Sequence, residues 1–223
     1  MKVGTDGVLL GAWASVPLPG GRVLDVGTGT GLIALMIAQR TVDVVVDALE
    51  IDPSSAMQAK ENFRNSPWRD RISCMHSSYQ EYTARCKTRY DLIICNPPFF
   101  SASSKTPYKE KNLARHDDSL SLDDLFKGAV GLMKKNSLIS LILPFHKEAQ
   151  ALELIREHKL YCSRLTRVKP APGKPLKRVL MEFTNMPGDC REAEMIIETG
   201  LRHRYSEAFK NLVKDFYLGE GDW

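Results

Sequence analysis

No apolar run in this 223-residue sequence approaches the ~20 residues that a bilayer-spanning helix needs, so no membrane partner is expected. The first residues hold one Lys and then Gly, Thr and Asp, which do not read as a signal peptide. The five cysteines, Cys74, Cys86, Cys95, Cys162 and Cys190, are odd in number and form no Cys-x-x-Cys. That usage argues against a disulfide framework and for a reducing, cytoplasmic setting. The five histidines form no His-x-x-x-His and no Cys/His cluster, so no metal site is expected. Internal repeats and low-complexity tracts are also missing, which excludes solenoids and linker-like chains.

What is present suits one α/β domain over residues 1–223, with small additions. Hydrophobic residues make up 43% of the chain, enough to fill an ordinary core. Short apolar runs predict strands at 22–26, 44–49, 71–75, 90–95, 138–143, 160–168 and 177–184. Amphipathic segments between them predict helices at 31–40, 54–64, 121–134, 146–158 and 205–217. Pro53-Ser54-Ser55 and Ser121-Leu122-Asp123-Asp124 read as helix starts. Alternating strands and helices imply a parallel sheet. Lys169-Pro170-Ala171-Pro172-Gly173-Lys174-Pro175 is too short for a crossover helix, so the strands flanking it should pair antiparallel.

Two strand ends carry chemistry. Val23-Leu24-Asp25-Val26 runs into Gly27-Thr28-Gly29-Thr30-Gly31, and that turn opens a helix at Leu32. Glycines there permit positive φ and close backbone approach. A dinucleotide fingerprint would need Gly where Leu32 stands. The turn instead resembles the first motif of S-adenosylmethionine (SAM)-dependent methyltransferases. A second strand ends in Glu50-Ile51-Asp52, and an acid there can accept from both ribose hydroxyls, with Glu50 nearer the tip than Asp52. The resemblance extends the cofactor set to Asp25, Gly27, Gly29, Gly31, Ile51, Ser77 and Ser78, with a minor share for Asn96. It implies a Rossmann-like, seven-stranded, mostly parallel sheet with one reversed strand near its edge and helices on both faces.

The strand Tyr90-Asp91-Leu92-Ile93-Ile94-Cys95 ends in Asn96-Pro97-Pro98-Phe99. Each Pro fixes its own φ and restricts the residue before it. The Asn96 amide oxygen and the Pro97 carbonyl can then act as two acceptors for one planar NH2 group, on which Phe99 can stack. A conjugated amine is a poor nucleophile, and two acceptors on its hydrogens return electron density to nitrogen. Pro-Pro alone would fit a tight loop equally well. The Gly-rich turn upstream decides for catalysis by Asn96, Pro97 and Phe99.

Charge points to a polyanionic partner. Residues 1–100 balance, so the net +4 lies in residues 101–223. Residues 159–178 hold Lys159, Arg164, Arg167, Lys169, Lys174, Lys177 and Arg178 with no acid among them. Lys105, Lys109, Lys111 and Arg115 follow the Asn96 tip. A basic rim about a pocket for a planar amine suits nucleic acid, and a stacked base would have to leave its stack to react. We assign RNA contacts to Lys105, Lys109, Lys111, Arg115, Arg167, Lys169, Lys174, Lys177 and Arg178. Within the single domain, residues 1–20 are expected to cover the cofactor, 99–118 to form a substrate loop, and 159–184 to form a basic hairpin.

Lys2-Val3-Gly4-Thr5-Asp6-Gly7-Val8-Leu9-Leu10-Gly11-Ala12-Trp13 resembles the opening signature of the bacterial valine-tRNA adenine-37 N6-methyltransferases. Ser66-Pro67-Trp68, Asn96-Pro97-Pro98-Phe99-Phe100, Tyr205-Ser206-Glu207-Ala208-Phe209 and Asp215-Phe216-Tyr217-Leu218 are similar to that family too. The resemblance spans nearly the whole chain. It implies methyl transfer from SAM to the exocyclic N6 of a tRNA adenine beside the anticodon, by an enzyme expected to be a monomer. It also places Thr5, Asp6 and Gly7 at the cofactor's methionine end, where the residues alone read as a turn before an apolar segment.

Three departures stand out. Members carry a segment upstream of the signature, so Met1 is not taken as the biological start. Phe99 stands where many N6-adenine enzymes have Tyr, and Phe is frequent in guanine-N2 ribosomal RNA methyltransferases. Ser77-Ser78 stands where an Asp usually holds the adenine amine of SAM; a hydroxyl accepts more weakly. Two other readings stay open besides guanine-N2 transfer. One is a release-factor glutamine methyltransferase, which shares the Asn-Pro-Pro-aromatic tip but usually has an added N-terminal helical domain. The other is a catalytically inert RNA-binding module of the same fold.

Overall fold

The computed structural model describes residues 4–97, 120–201 and 204–217. Along the chain run α1 (Thr5–Trp13), β1 (Arg22–Val26), α2 (Leu32–Gln39), β2 (Val45–Glu50), α3 (Pro53–Arg64), β3 (Ile72–His76), α4 (Tyr79–Arg85) and β4 (Tyr90–Cys95). After the substrate-loop region come α5 (Leu122–Leu132), β5 (Met133–Pro144), α6 (Glu148–Glu157), β6 (Tyr161–Lys169), β7 (Arg178–Thr184), β8 (Arg191–Ile196) and α7 (Glu207–Val213). The strands form one sheet in the order β3-β2-β1-β4-β5-β7-β6-β8. Strands β1 to β5 pair in parallel. β7 is the reversed strand, antiparallel to both β5 and β6, as the short connection before it requires.

Helices cover both faces. On one face Val8, Leu10, Ile33, Ile37, Phe63 and Phe209 pack together from α1, α2, α3 and α7. On the other, Tyr79, Leu125, Phe126, Ala151 and Ile155 pack from α4, α5 and α6. Strand side chains alternate between these layers: Val23 joins the first, Leu24 and Val26 the second.

Among the described residues the sheet has eight strands, not the seven expected. β8 pairs in parallel with β6 at the sheet edge. Its Arg191-Glu192-Ala193-Glu194 stretch is exposed, so it carries no apolar alternation, only charges of the kind that blunt an edge. α1 is a helix rather than a turn leading into an apolar segment. Every residue from Gly7 to Trp13 is buried, so the 3.6-residue stripe that signals a helix is absent. α4 also escapes the pattern: it is seven residues long and starts at a capping box of Ser78 and Glu81. The helix expected over 121–134 stops at Leu132, and β5 takes over at Met133.

α1 is fastened at its carboxyl end by a buried polar knot. Glu182 of β7 is only 2% exposed. It accepts from the Ser15 amide (2.6 Å), the Ser15 hydroxyl (2.9 Å) and the Ser140 hydroxyl (2.9 Å). The Trp13 indole donates to Thr166 Oγ1 at 3.0 Å, and the Arg164 guanidinium lies 4.1 Å from its ring centre. Arg40 caps the helix by donating to the Gly11 and Ala14 carbonyls.

Candidate active site

Strand register assembles the site. Leu49 of β2, Val26 of β1, Cys95 of β4 and Leu141 of β5 stand in one row. Gly27, Glu50 and Asn96 are the next residues and leave the sheet together at its carboxyl edge. The direction of chain connection reverses between β1 and β4, and such a switch point opens a crevice. Glu50 and Asn96 flank β1 about 10 Å apart, two strand spacings. Ala48, Ile94 and Val23 point to the α1 and α2 layer, while Leu49, Cys95 and Val26 point away. The same alternation turns Asp25, Glu50 and Asn96 toward α1 and α2.

The Gly-rich turn follows from that register. The Gly27 and Thr28 amides both donate to the Leu49 carbonyl at 2.9 Å, which bends the chain at Gly27 with φ of 71°. Among the described residues, a Cβ built on Gly27 would meet nothing within 4 Å, so none of them fills this side of the turn. At Gly31 the φ is 90°, and a Cβ would fall 2.3 Å from Phe63 of α3. There both conformation and space demand glycine. Asn62 of α3 also braces the turn, donating to the Thr30 carbonyl at 2.8 Å.

Glu50 is the hub. Its Oε2 accepts from the Gly29 amide at 2.7 Å and its Oε1 from the Asp52 amide at 2.9 Å. The other acid considered for a ribose, Asp52, is the N-cap of α3 and accepts from the Ser55 amide and the Ser54 hydroxyl. Asp25 lies at 1% exposure beneath the turn. Its Oδ2 accepts from the Thr28 hydroxyl at 2.5 Å, while Oδ1 is buried without a hydrogen bond of full geometry. Burial pushes this carboxyl up to about 7, helped by the Glu50 charge and opposed by Thr28 and the Ala34 backbone.

Around this centre, Ser77 follows β3 and donates its amide to the Glu50 carbonyl at 3.1 Å. The Ser78 hydroxyl is occupied as the cap of α4. Hydrogen bonds from Ser78 hold the exposed Glu81 carboxyl below its usual range. Ile51 stands exposed beside Glu50. Gly7 packs on Leu32, where a Cβ would come within 3.2 Å, so the first turn of α1 sits on the first residue of α2. Asn96 is half-buried and Pro97 buried, both at the tip of β4.

Residues 7–119 match the family described as the methyltransferase small domain. A tRNA1(Val) (adenine(37)-N6)-methyltransferase of Christiangramia forsetii is 46% identical over 220 residues, 98% of this chain and 91% of that protein. One of the same description from Parabacteroides distasonis is 47% identical over 219 residues, with 98% and 91% covered. The chain belongs to the tRNA1(Val) (adenine(37)-N6)-methyltransferase family. Its fold also matches a crystal structure from Agrobacterium tumefaciens titled a predicted O-methyltransferase, with a TM-score of 0.70, 18% identity and coverage of 94% and 96%.

The residues expected to touch RNA divide into three groups. Lys105, Lys109, Lys111 and Arg115 lie outside the described residues, as does Phe99 of the catalytic set. Arg167, Lys169 and Arg178 are engaged inside the protein. Glu148 clamps Arg167 with contacts down to 2.5 Å, and Glu192 adds a bond at 2.8 Å. These acids raise the Arg167 pKa further. Lys169 meets Glu194 at 2.9 Å, and Arg178 Nε donates to Asp6 at 2.8 Å. Lys174 and Lys177 form no ion pair among the described residues. The acids come from α1, α6 and β8, so a window of 159–178 could not reveal them. The Asp6 and Arg178 bond joins the turn assigned to the cofactor to the hairpin assigned to RNA.

Proposed function

We propose that the protein transfers the methyl group of SAM to the exocyclic N6 of adenine 37 in a valine tRNA. The observation that carries this reading is the convergence of the Gly27 turn, Glu50 and Asn96 on one face at the switch point. The activity for which the family is named gives it the substrate. The residues fit SAM: among the described residues the space above Gly27 admits a ligand against the backbone, and the buried Asp25 Oδ1, which holds no hydrogen bond of full geometry there, has room for a cation. Gly27, Gly29, Gly31, Asp25 and the Thr5-Asp6-Gly7 turn would hold the methionine end. Glu50 would hold the ribose, and Ile51 and Ser77 would border the adenine, with Ser78 shaping that border through its cap. SAM supplies an electrophilic methyl on a sulfonium.

Asn96 Oδ1 and the Pro97 carbonyl accept from the two hydrogens of the target amine. They hold its lone pair toward the methyl group and orient the proton that the nitrogen sheds once alkylated. Phe99 supplies the stacking face. In this reading residues 1–20 cover the cofactor, 99–118 contact the substrate, and 159–184 present Lys174 and Lys177 to the RNA. The test is transfer of labelled methyl from SAM to total RNA from a strain lacking this gene, with the nucleoside identified by mass spectrometry. N6-methyladenosine in one tRNA is expected. N2-methylguanosine, or label only in protein, would refute the assignment.

Asp25 adds a pH signature. A carboxyl held near 7 in the folded chain, against 3.8 ordinarily, keeps its proton while the unfolded chain loses one. Stability contributed by this group is therefore complete below 3.8 and declines as pH rises toward about 7. A bound cation reverses the preference. SAM affinity should rise with pH up to about 7 and then level, by at most about tenfold per unit. Calorimetry across this range should show the slope, and Asp25→Asn should flatten it. An identical slope in that variant removes Asp25 as its cause.

A further inference from the structure

The opposite edge of the sheet carries a second cationic surface. Lys60, Arg64 and Arg69 converge on a cleft of about 340 Å³ between α3 and β3. All three are exposed. Among the described residues, no carboxylate lies within 4.0 Å of Lys60 or Arg64. The one acid lining the cleft, Asp70, is 93% exposed and only reaches Arg69 at 4.0 Å. This contrasts with Arg167, Lys169 and Arg178, whose charges are spent on internal acids.

The wall of the cleft adds neutral donors. β3 is the terminal strand on this side. The Arg71 carbonyl accepts from Val46 of β2, so Arg71 faces inward. Alternation then turns the backbone amides of Ile72 and Cys74 toward the open edge, and both residues line the cleft. Positive side chains over outward N–H groups form an anion site with two kinds of donor.

Its position fits a long polyanion. α3 descends from the Glu50 tip, and Lys60 and Arg64 lie roughly 10 and 16 Å along it. Across the sheet, β3 stands three strand spacings from β4, about 14 Å, while β7 stands two spacings away on the other side. Asn96 thus lies between the α3 cleft and the Lys174–Lys177 turn. A single small anion would need only one of these surfaces, whereas a nucleic acid placed over Asn96 passes both.

We propose that the Lys60–Arg64–Arg69 cleft binds backbone phosphates of the RNA substrate, a contact that rests on the tRNA reading above. The probe is a valine tRNA transcript, bound at salt concentrations from roughly 50 to 300 mM. The variant Lys60→Gln/Arg64→Gln/Arg69→Gln should reduce the slope of log affinity against log salt by about 2, at 0.7–0.9 per phosphate contact. It should raise the Kd for tRNA at least tenfold. SAM affinity should stay within twofold, and kcat at saturating tRNA should not change.

An unchanged salt slope with SAM binding intact overturns the proposal. If the triple variant loses SAM binding, the single variants Lys60→Gln and Arg69→Gln decide: each should lower the slope by about 0.7–0.9, and no change in either overturns the site. Methyl transfer by the unaltered protein reports separately on the activity. If it binds tRNA with this slope but methylates none, the cleft stands and the N6 reading falls. If it binds no tRNA, both fall.

Discussion

Asn96→Ala is expected to lower methyl transfer by more than ~100-fold while SAM binding stays nearly intact, the loss typical of a group acting at the reacting centre. Asn96 leaves the sheet in the same row as Gly27 and Glu50. It stands one strand from the turn on the side away from Glu50, about two strand spacings from the acid proposed to hold the ribose. In the proposed mechanism, removing its carboxamide would leave the residues proposed to hold the cofactor in place and would deprive the amine of one acceptor. The neighbouring Pro97 carbonyl would remain but would not orient the amine alone. Single-turnover assays with saturating SAM and tRNA isolate the chemical step, and calorimetry reports SAM affinity. Turnover near that of the parent chain would remove Asn96 from the mechanism. A parallel collapse of SAM affinity would reassign it to cofactor binding.

Glu50→Ala should produce the other large effect, on affinity. Charge-assisted hydrogen bonds contribute roughly 1.5–3 kcal/mol each. Two bonds to ribose hydroxyls give an expected loss of at least tenfold, and more if both are strong. The variant also strips the Gly29 and Asp52 amides of their acceptor. Glu50→Gln separates the two contributions, because one amide oxygen still serves one of these donors. SAM affinity should fall in the order parent, Gln, Ala, and the folded chain should remain soluble and cooperative in thermal melts. Unchanged affinity in Glu50→Ala would hand the ribose to another residue.

Parts of this architecture were legible because local and global demands agree there. β1 and β4 are apolar runs bounded by Gly27 and by Asn96-Pro97, and a two-layered α/β core needs such strands buried on both faces. Glu50 and Asn96 could be placed at a common edge from strand order alone. Other parts have no local signature. α1 is apolar on all sides because the sheet, α2 and α7 enclose it. β8 is charged because its outer side meets water. Glu182 sits inside the apolar run of β7, and its partners Ser15 and Ser140 come from distant segments. The acids that hold Arg167 and Lys169 likewise arrive from α6 and β8. Counting charges along a window finds cations but not their company, and company decides whether a cation is available to RNA.

The knot around α1 has a consequence for the order in which the protein matures. Ser15 reaches Glu182, Trp13 reaches Thr166 and Asp6 reaches Arg178, pairs separated by 167, 153 and 172 residues. Loops that long close late, after the local pairings of β1 to β5 are available. On a ribosome, the segment that bears Thr5, Asp6 and Gly7 emerges well before β6 and β7 and must wait for them. Until then its apolar surface from Gly7 to Trp13 has no finished berth, and a chaperone has a natural handle. α1 is translated before the strands that hold it, so a nascent chain truncated before β7 holds the Gly-rich turn but lacks the partners that fasten its cover.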